Sequence, residues 1–159
     1  MTQQQTVADT DTQLYYGGVA HFGVGTMDVH DPAEPRRVVG RAASASREQA
    51  LDAVAAAEAA QDEWSAKTAQ ERAAMLLQAL SALDEHLSED AAILSAENGK
   101  IAQECTIDLI VFSHRVRLAC QLADQVEETT ALPGPPIETT VRYEPLGVVT
   151  VIVPFNWPL

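Results

Sequence analysis

The chain has 159 residues, enough for one ordinary domain with its own core. Twenty-three Asp and Glu stand against ten Lys and Arg, a net charge of −13, so neither a phosphate backbone nor an anionic membrane surface would find the basic side chains it needs. The acids are scattered rather than gathered in one run, the pattern of a solvated surface. Hydrophobic residues at 47% are ordinary for a globular protein, and abundant alanine with aromatics at only 5% favours helices packed through small side chains.

Residues 1–13 read as a disordered polar tail without the basic and apolar regions of a secretory leader. The longest strongly apolar run, residues 148–153, is far too short to cross a bilayer. Cys105 and Cys120 make no Cys-x-x-Cys pair, and a reduced, cytoplasmic setting fits them best. Residues 14–21 form a small hairpin turning at Gly17-Gly18. Extended chain follows at residues 28–30 and 37–41, on either side of a turn from Pro32 to Pro35, as exposed edge strands.

Four helices come next. The first opens on Ser46 with Gln49 three residues later, a capping box, and places Ala50, Val54, Ala57 and Trp64 on one face. The second repeats the box with Thr68 and Glu71, followed by Ala73, Leu76, Leu80, Leu83 and Leu87. The third starts at Ser88, has Glu89 and Asp90 in its first turn and stops at Asn98-Gly99. The fourth is one long helix striped by Cys105, Leu109, Phe112, Val116, Ala119, Ala123 and Val126, ending before the proline-rich segment 132–136. Period-two alternation over residues 137–144 predicts a strand with one polar face. After a turn at 145–147, the β-branched run 148–153 reads as a strand buried on both faces of a parallel sheet. The sheet is unfinished at Leu159, because no later strand or crossover helix in the sequence covers that run.

The last segment carries the chemistry. Pro154-Phe155-Asn156-Trp157-Pro158 places an Asn between two aromatics and two prolines at the carboxyl end of the 148–153 run, where open α/β sheets bind ligands. An Asn amide fixed there can donate to a developing oxyanion. A turn whose Asn satisfies local backbone groups fits the same residues equally well.

Residues 143–159 resemble the signature of the aldehyde dehydrogenase family, in which a Glu-Pro-Leu-Gly-Val-Val turn and strand lead into a Pro-aromatic-Asn-aromatic-Pro loop. The resemblance runs from about Tyr15 onward. Asp31-Pro32-Ala33 is similar to the family's Asn-Pro-Ala segment, Ala50 to Trp64 to its Ala-rich first helix, Glu71-Arg72-Ala73 to its Glu-Arg-Ala helix start, and Glu97-Asn98-Gly99-Lys100 to its Glu-Thr-Gly-Lys stretch. Asp31, Asn98 and Ile101 depart from the usual residues, and Phe155 and Trp157 exchange the commoner aromatic order.

The resemblance implies the N-terminal part of an α/β aldehyde dehydrogenase fold: N-terminal strands and helices of the cofactor-binding domain over 14–136, an excursion strand of the kind used in oligomerisation over 137–147, and the first strand and oxyanion loop of a Rossmann-like cofactor sheet over 148–159. It implies NAD or NADP as cofactor and a small-molecule aldehyde as substrate. It also implies a cysteine thiolate that forms a thiohemiacetal and then a thioester, a glutamate that activates water, and a homodimer or homotetramer. Asn156 matches the oxyanion donor; Ile152, Val153, Pro154 and Phe155 match positions beside the nicotinamide. The family's cofactor-binding Lys, phosphate turn, general-base Glu and nucleophilic Cys lie downstream of this motif. The 159 residues alone are therefore expected to be inactive, poorly stable and prone to aggregate. Two alternatives share the pattern: a non-catalytic helical interaction module of this ancestry, and a CoA-acylating semialdehyde dehydrogenase.

Other residues read as structural. Cys105 and Cys120 lie on an apolar stripe, as small inert hydrophobes. His21, His30, His86 and His114 are too scattered to hold a metal. Gly23-Val24-Gly25 is a turn rather than a dinucleotide loop, Glu97 and Glu104 belong to a solvated face, and Trp64 closes a helix into the core.

Overall fold

The computed structural model describes residues 10–134 and 137–159. The first sheet joins β1 (Thr10–Asp11), β4 (Gly25–His30) and β5 (Val38–Ser44) in the order β1-β5-β4, with β1 parallel and β4 antiparallel to β5. Residues 1–9 of the expected tail lie outside the described residues. Its remainder is not a free tail: Thr10 and Asp11 pair with Gly40 and Arg41, and the Thr12 amide donates to the Arg41 carbonyl at 2.8 Å. An exposed backbone edge on β5 recruits these residues despite their polar side chains. β2 (Leu14–Tyr16) and β3 (Val19–His21) form the expected hairpin, with the His21 ring stacked on Tyr16 at 3.8 Å.

The turn between β4 and β5 is organised by Asp31. Its buried carboxylate accepts from the Ala33 amide at 2.8 Å and from Arg37 at 3.1 Å. The Asp thus folds the backbone of the following Pro32 and Ala33 into a fixed Asx-type turn.

Five helices follow. Both capping boxes form: Ser46 and Gln49 open α1 (Arg47–Ser65), and Thr68 and Glu71 open α2 (Ala69–Asp84). α3 (Leu87–Asn98) starts one residue before the expected Ser88 and ends on Gly99 in the left-handed region, at φ +80°. The single long fourth helix is instead two, α4 (Ala102–Gln121) and α5 (Ala123–Glu127), divided at Leu122, whose backbone leaves the helical well at φ −89° and ψ 3°. The expected face of α1 is also wrong. Ala50, Val54 and Ala57 are exposed, whereas Gln49, Ala53 and Ala56 are half-buried.

The helical layer packs through small side chains. α4 lies against both α2 and α3, and its two ends hold two clusters. One joins Ala69, Ala73 and Ala123 with Cys120; the other joins Ala91, Cys105 and Leu109 with Leu87 and Leu94. Asp84 at the end of α2 accepts from Ser113 at 2.8 Å and from Arg117, tying α2 to α4 on its polar side.

Beyond α5 the chain forms a two-stranded antiparallel ladder of β6 (Thr130–Leu132) and β7 (Thr139–Val141), exposed at all six positions. Pro135 and Pro136 lie outside the described residues. The period-two reading of 137–144 thus shortens to β7, paired with a strand that the sequence pattern did not mark. The run 148–153 is a correction as well. It forms no ladder, and Val149, Val151 and Ile152 are 63%, 77% and 91% exposed. An apolar β-branched run becomes a buried strand only when flanking strands take up its backbone groups. None lies beside it among the described residues.

Candidate functional site

The Asn156 segment is positioned by the corner between α3 and α4. At the end of α3, the Asn98 side-chain amide donates to the Phe155 carbonyl at 2.7 Å. One residue past the turn, the Lys100 ammonium donates to the Asn156 carbonyl at 3.4 Å and to Asp108, one turn and a half into α4. Asp108 is buried, with only 3% of its side chain exposed, so the ion pair sits under the surface rather than on it. A buried carboxylate with a hydrogen-bonded cation is a stiff joint, because parting the two leaves an uncompensated charge.

The same ammonium lies 5.3 Å from the centre of the Trp157 ring, and the Arg115 guanidinium lies 5.7 Å from it. Both distances suit attraction to the ring's negative face. The loop closes on itself through the Trp157 amide, which donates to the Pro154 carbonyl at 3.2 Å. Pro158 and Leu159 then line a cleft of about 370 Å³ with Leu83, Leu94 and Leu109.

Gly99 lets the corner bend. A side chain there would be strained at φ +80°, and its Cβ would stand 3.1 Å from both Cβ and Cγ of Pro32. Three separate stretches, Asp31-Pro32-Ala33, Asn98-Gly99-Lys100 and Phe155-Asn156-Trp157, therefore meet in sequence-distant contact.

Asn156 itself is exposed, and its side-chain amide has no hydrogen-bond partner among the described residues. Ile152, Val153 and Phe155 are also open, at 91%, 49% and 87%. Asn156 and its neighbours 152–155 thus share one exposed segment, with only its Phe155-Asn156-Trp157 end gripped from behind. Sequence reasoning missed Asn98, Lys100 and Asp108, and set the Glu97–Lys100 stretch aside except as a resemblance. The available signal was a helix-stopping Asn-Gly followed at once by a cation, with an acid at an inward position of the next helix.

Cys105 is fully buried among Ala91, Leu109 and Leu94, and burial pushes its thiol above the ordinary value. That opposes the thiolate a nucleophile requires. Cys120 is half-buried beside Ala73, while Glu97 and Glu104 are exposed. Trp64 is not core: it is 37% exposed and lines a cleft of about 620 Å³ with Arg72, Val126, Arg142 and Tyr143, formed without any residue of the Asn156 loop. Among the described residues no helix is long and apolar enough to cross a membrane.

A family model described as the aldehyde dehydrogenase family matches residues 20–159. The chain belongs to that family. It is 32% identical over 148 residues to lactaldehyde dehydrogenase of Escherichia coli K12, covering 91% of this chain and 31% of that protein. It is 34% identical over 125 residues to aminoacetaldehyde dehydrogenase of Pseudomonas aeruginosa, covering 77% and 25%. Among solved structures, PnpE from Pseudomonas sp. WBC-3 superposes with a TM-score of 0.83 at 32% identity, covering 94% of this chain and 31% of that one. A methylmalonate-semialdehyde dehydrogenase from Sinorhizobium meliloti, described as complexed with NAD, superposes at 0.81 with 25% identity, covering 94% and 31%. The chain therefore has the α/β architecture of the N-terminal part of the family fold, and it spans between a quarter and a third of the length of these relatives.

Proposed function

We propose that this aldehyde dehydrogenase chain supplies the oxyanion donor and one wall of the nicotinamide site to a subunit that oxidises an aldehyde to a carboxylic acid with NAD or NADP. The observation that carries the reading is the division of labour at Asn156. Its backbone carbonyl is gripped by Lys100, while its side-chain amide stays exposed and unengaged among the described residues. A donor can stabilise charge that develops in a transition state only if it is held in place and not already spent on another acceptor.

Asn156 would aim its amide N–H at the aldehyde oxygen as that oxygen gains charge under attack by the family's cysteine thiolate. Ile152, Val153, Pro154 and Phe155 would hold the nicotinamide. They fit it, because they present an open apolar surface without ionic side chains on which a flat ring can lie. When bound, the dinucleotide supplies the hydride acceptor. The Cys and Glu that complete the family's chemistry are assigned to the rest of the subunit, and the 159 residues alone are expected to oxidise no aldehyde. The exposed β6–β7 ladder is the part we assign to association into a homodimer or homotetramer.

The test is Asn156→Ala in an active subunit containing this chain. We expect kcat to fall by about two to three orders of magnitude with little change in KM. An unchanged kcat would overturn the reading.

A further inference from the structure

Two side chains from one helix corner reach two successive main-chain oxygens, those of Phe155 and Asn156, and the charged one of the two donors is anchored beneath the surface by Asp108. The ammonium has three protons to give. One goes to the Asp108 carboxylate and one to the Asn156 carbonyl, and the charge as a whole faces the Trp157 ring on the other side of Asn156. Lys100 thus touches the backbone of Asn156 and the side chain of its neighbour, and makes no hydrogen bond to the Asn156 side-chain amide among the described residues. The Asp108 end of the joint is enclosed. Asp108 is 3% exposed on a helix that packs against α2 and α3, and the adjoining Cys105 is wholly enclosed.

We propose that Lys100, locked by Asp108, is a positioning residue for Asn156: it fixes where the exposed amide points by holding the carbonyl of that residue and the indole beside it. The functional half of this statement rests on the oxyanion reading given above; the mechanical half does not. A misplacement of about 1 Å at a reacting group can cost as much as two orders of magnitude in rate, so a loosened loop would be felt in turnover before it was felt in binding.

The mechanical half is tested in this chain carrying Trp64→Phe, which leaves Trp157 as the sole tryptophan. Lys100→Met, which keeps the aliphatic stem, is expected to raise acrylamide quenching of Trp157 by about twofold as the ring loses one of its two cationic neighbours and Arg115 alone remains, with helical circular dichroism unchanged. Lys100→Arg is expected to reverse most of the rise. A folded Lys100→Met chain with unchanged quenching overturns the proposal. Should Lys100→Met lose its helical signal, the unmutated chain decides. A proton NOE between the Lys100 ε-methylene and the Trp157 indole supports the joint, and its absence overturns it.

The functional half is tested in an active subunit containing this chain. Lys100→Met is expected to lower kcat by about tenfold with KM nearly constant, and Lys100→Arg to recover most of it. A change confined to KM, or an unchanged kcat, removes the positioning role. If Asn156→Ala itself leaves kcat intact, the oxyanion reading falls, while the quenching result still reports whether Lys100 holds the loop.

Discussion

The side-chain amide of Asn98 donates to the main-chain carbonyl of Phe155 at 2.7 Å, joining the last residue of α3 to the segment that follows the 148–153 run. The bond is partly open to water, so its net worth is that of an ordinary hydrogen bond, about 0.5–1.5 kcal/mol. Asn98→Ala is expected to destabilise the chain by no more than that and to act locally. The measurement is hydrogen–deuterium exchange at the Trp157 amide, whose own bond to Pro154 closes the loop. Faster exchange there with unchanged exchange in α2 is the expected pattern; uniform acceleration would mean that Asn98 supports the helices rather than the loop.

Gly99 is under two constraints at once, a left-handed backbone and a neighbour 3.1 Å from where a Cβ would stand. Gly99→Ala is expected to cost about 1–2 kcal/mol for the backbone alone. The contact with Pro32 adds to this. Combining Gly99→Ala with Pro32→Ala should return only part of the loss, since both Cβ and Cγ of Pro32 are crowded and Pro32→Ala removes only the latter. Urea denaturation of the two variants decides it. Full recovery in the double variant would make the clash, not the φ angle, the governing term.

Thr68→Ala removes the hydroxyl that accepts from the Glu71 amide at 3.2 Å, and is expected to cost about 1 kcal/mol. The reciprocal bond, in which Glu71 accepts from the Thr68 amide at 2.8 Å, holds the Glu71 carboxyl below its ordinary value of 4.5, with the Thr68 hydroxyl as the second cause. A carboxyl with a depressed folded value contributes stability above its unfolded value and loses it as pH falls through the folded one. The deficit of Glu71→Gln relative to the parent should therefore be largest above pH 4.5 and shrink below it. Thermal melts across pH 3 to 7 would show this as converging curves on the acid side, and parallel curves would refute it.

Cys105 is enclosed, and burial raises its thiol, whereas Cys120 is half-buried at the α4–α2 contact. Iodoacetamide at pH 8 should label Cys120 first and reach Cys105 only when the helices open, because the thiolate is the reacting form. Peptide mass spectrometry across a denaturant series gives the order. Early labelling of Cys105 would contradict its reading as an enclosed, inert thiol.

Much of the helical layer was legible because its signals are local. Ser46 with Gln49 and Thr68 with Glu71 announce two helix starts, and Asn98-Gly99 announces a stop. The face of α1 was not legible, since a helix built mostly of alanine offers little contrast between its sides. The break at Leu122 carries no Gly or Pro and lies within a continuous apolar stripe. β6 is three residues whose pairing depends on β7, a strand that follows only after the proline-rich stretch of the sequence. At the site, Asn156 stood out by its frame of prolines and aromatics. Asn98, Lys100 and Asp108 did not, because their partners lie 57, 56 and 8 residues away and no short-range spacing encodes the first two.

The α3–α4 corner takes hold of the loop mainly by its peptide oxygens. Those oxygens are the same whatever side chain hangs from the residue. Phe155, largely in the open, can therefore be exchanged for a ring of another shape without loosening the hold on its neighbour. A scaffold fastened in this way uncouples two properties of the segment: the side chain at position 155 can change shape, while the hold on the main chain of Phe155 and Asn156 stays the same.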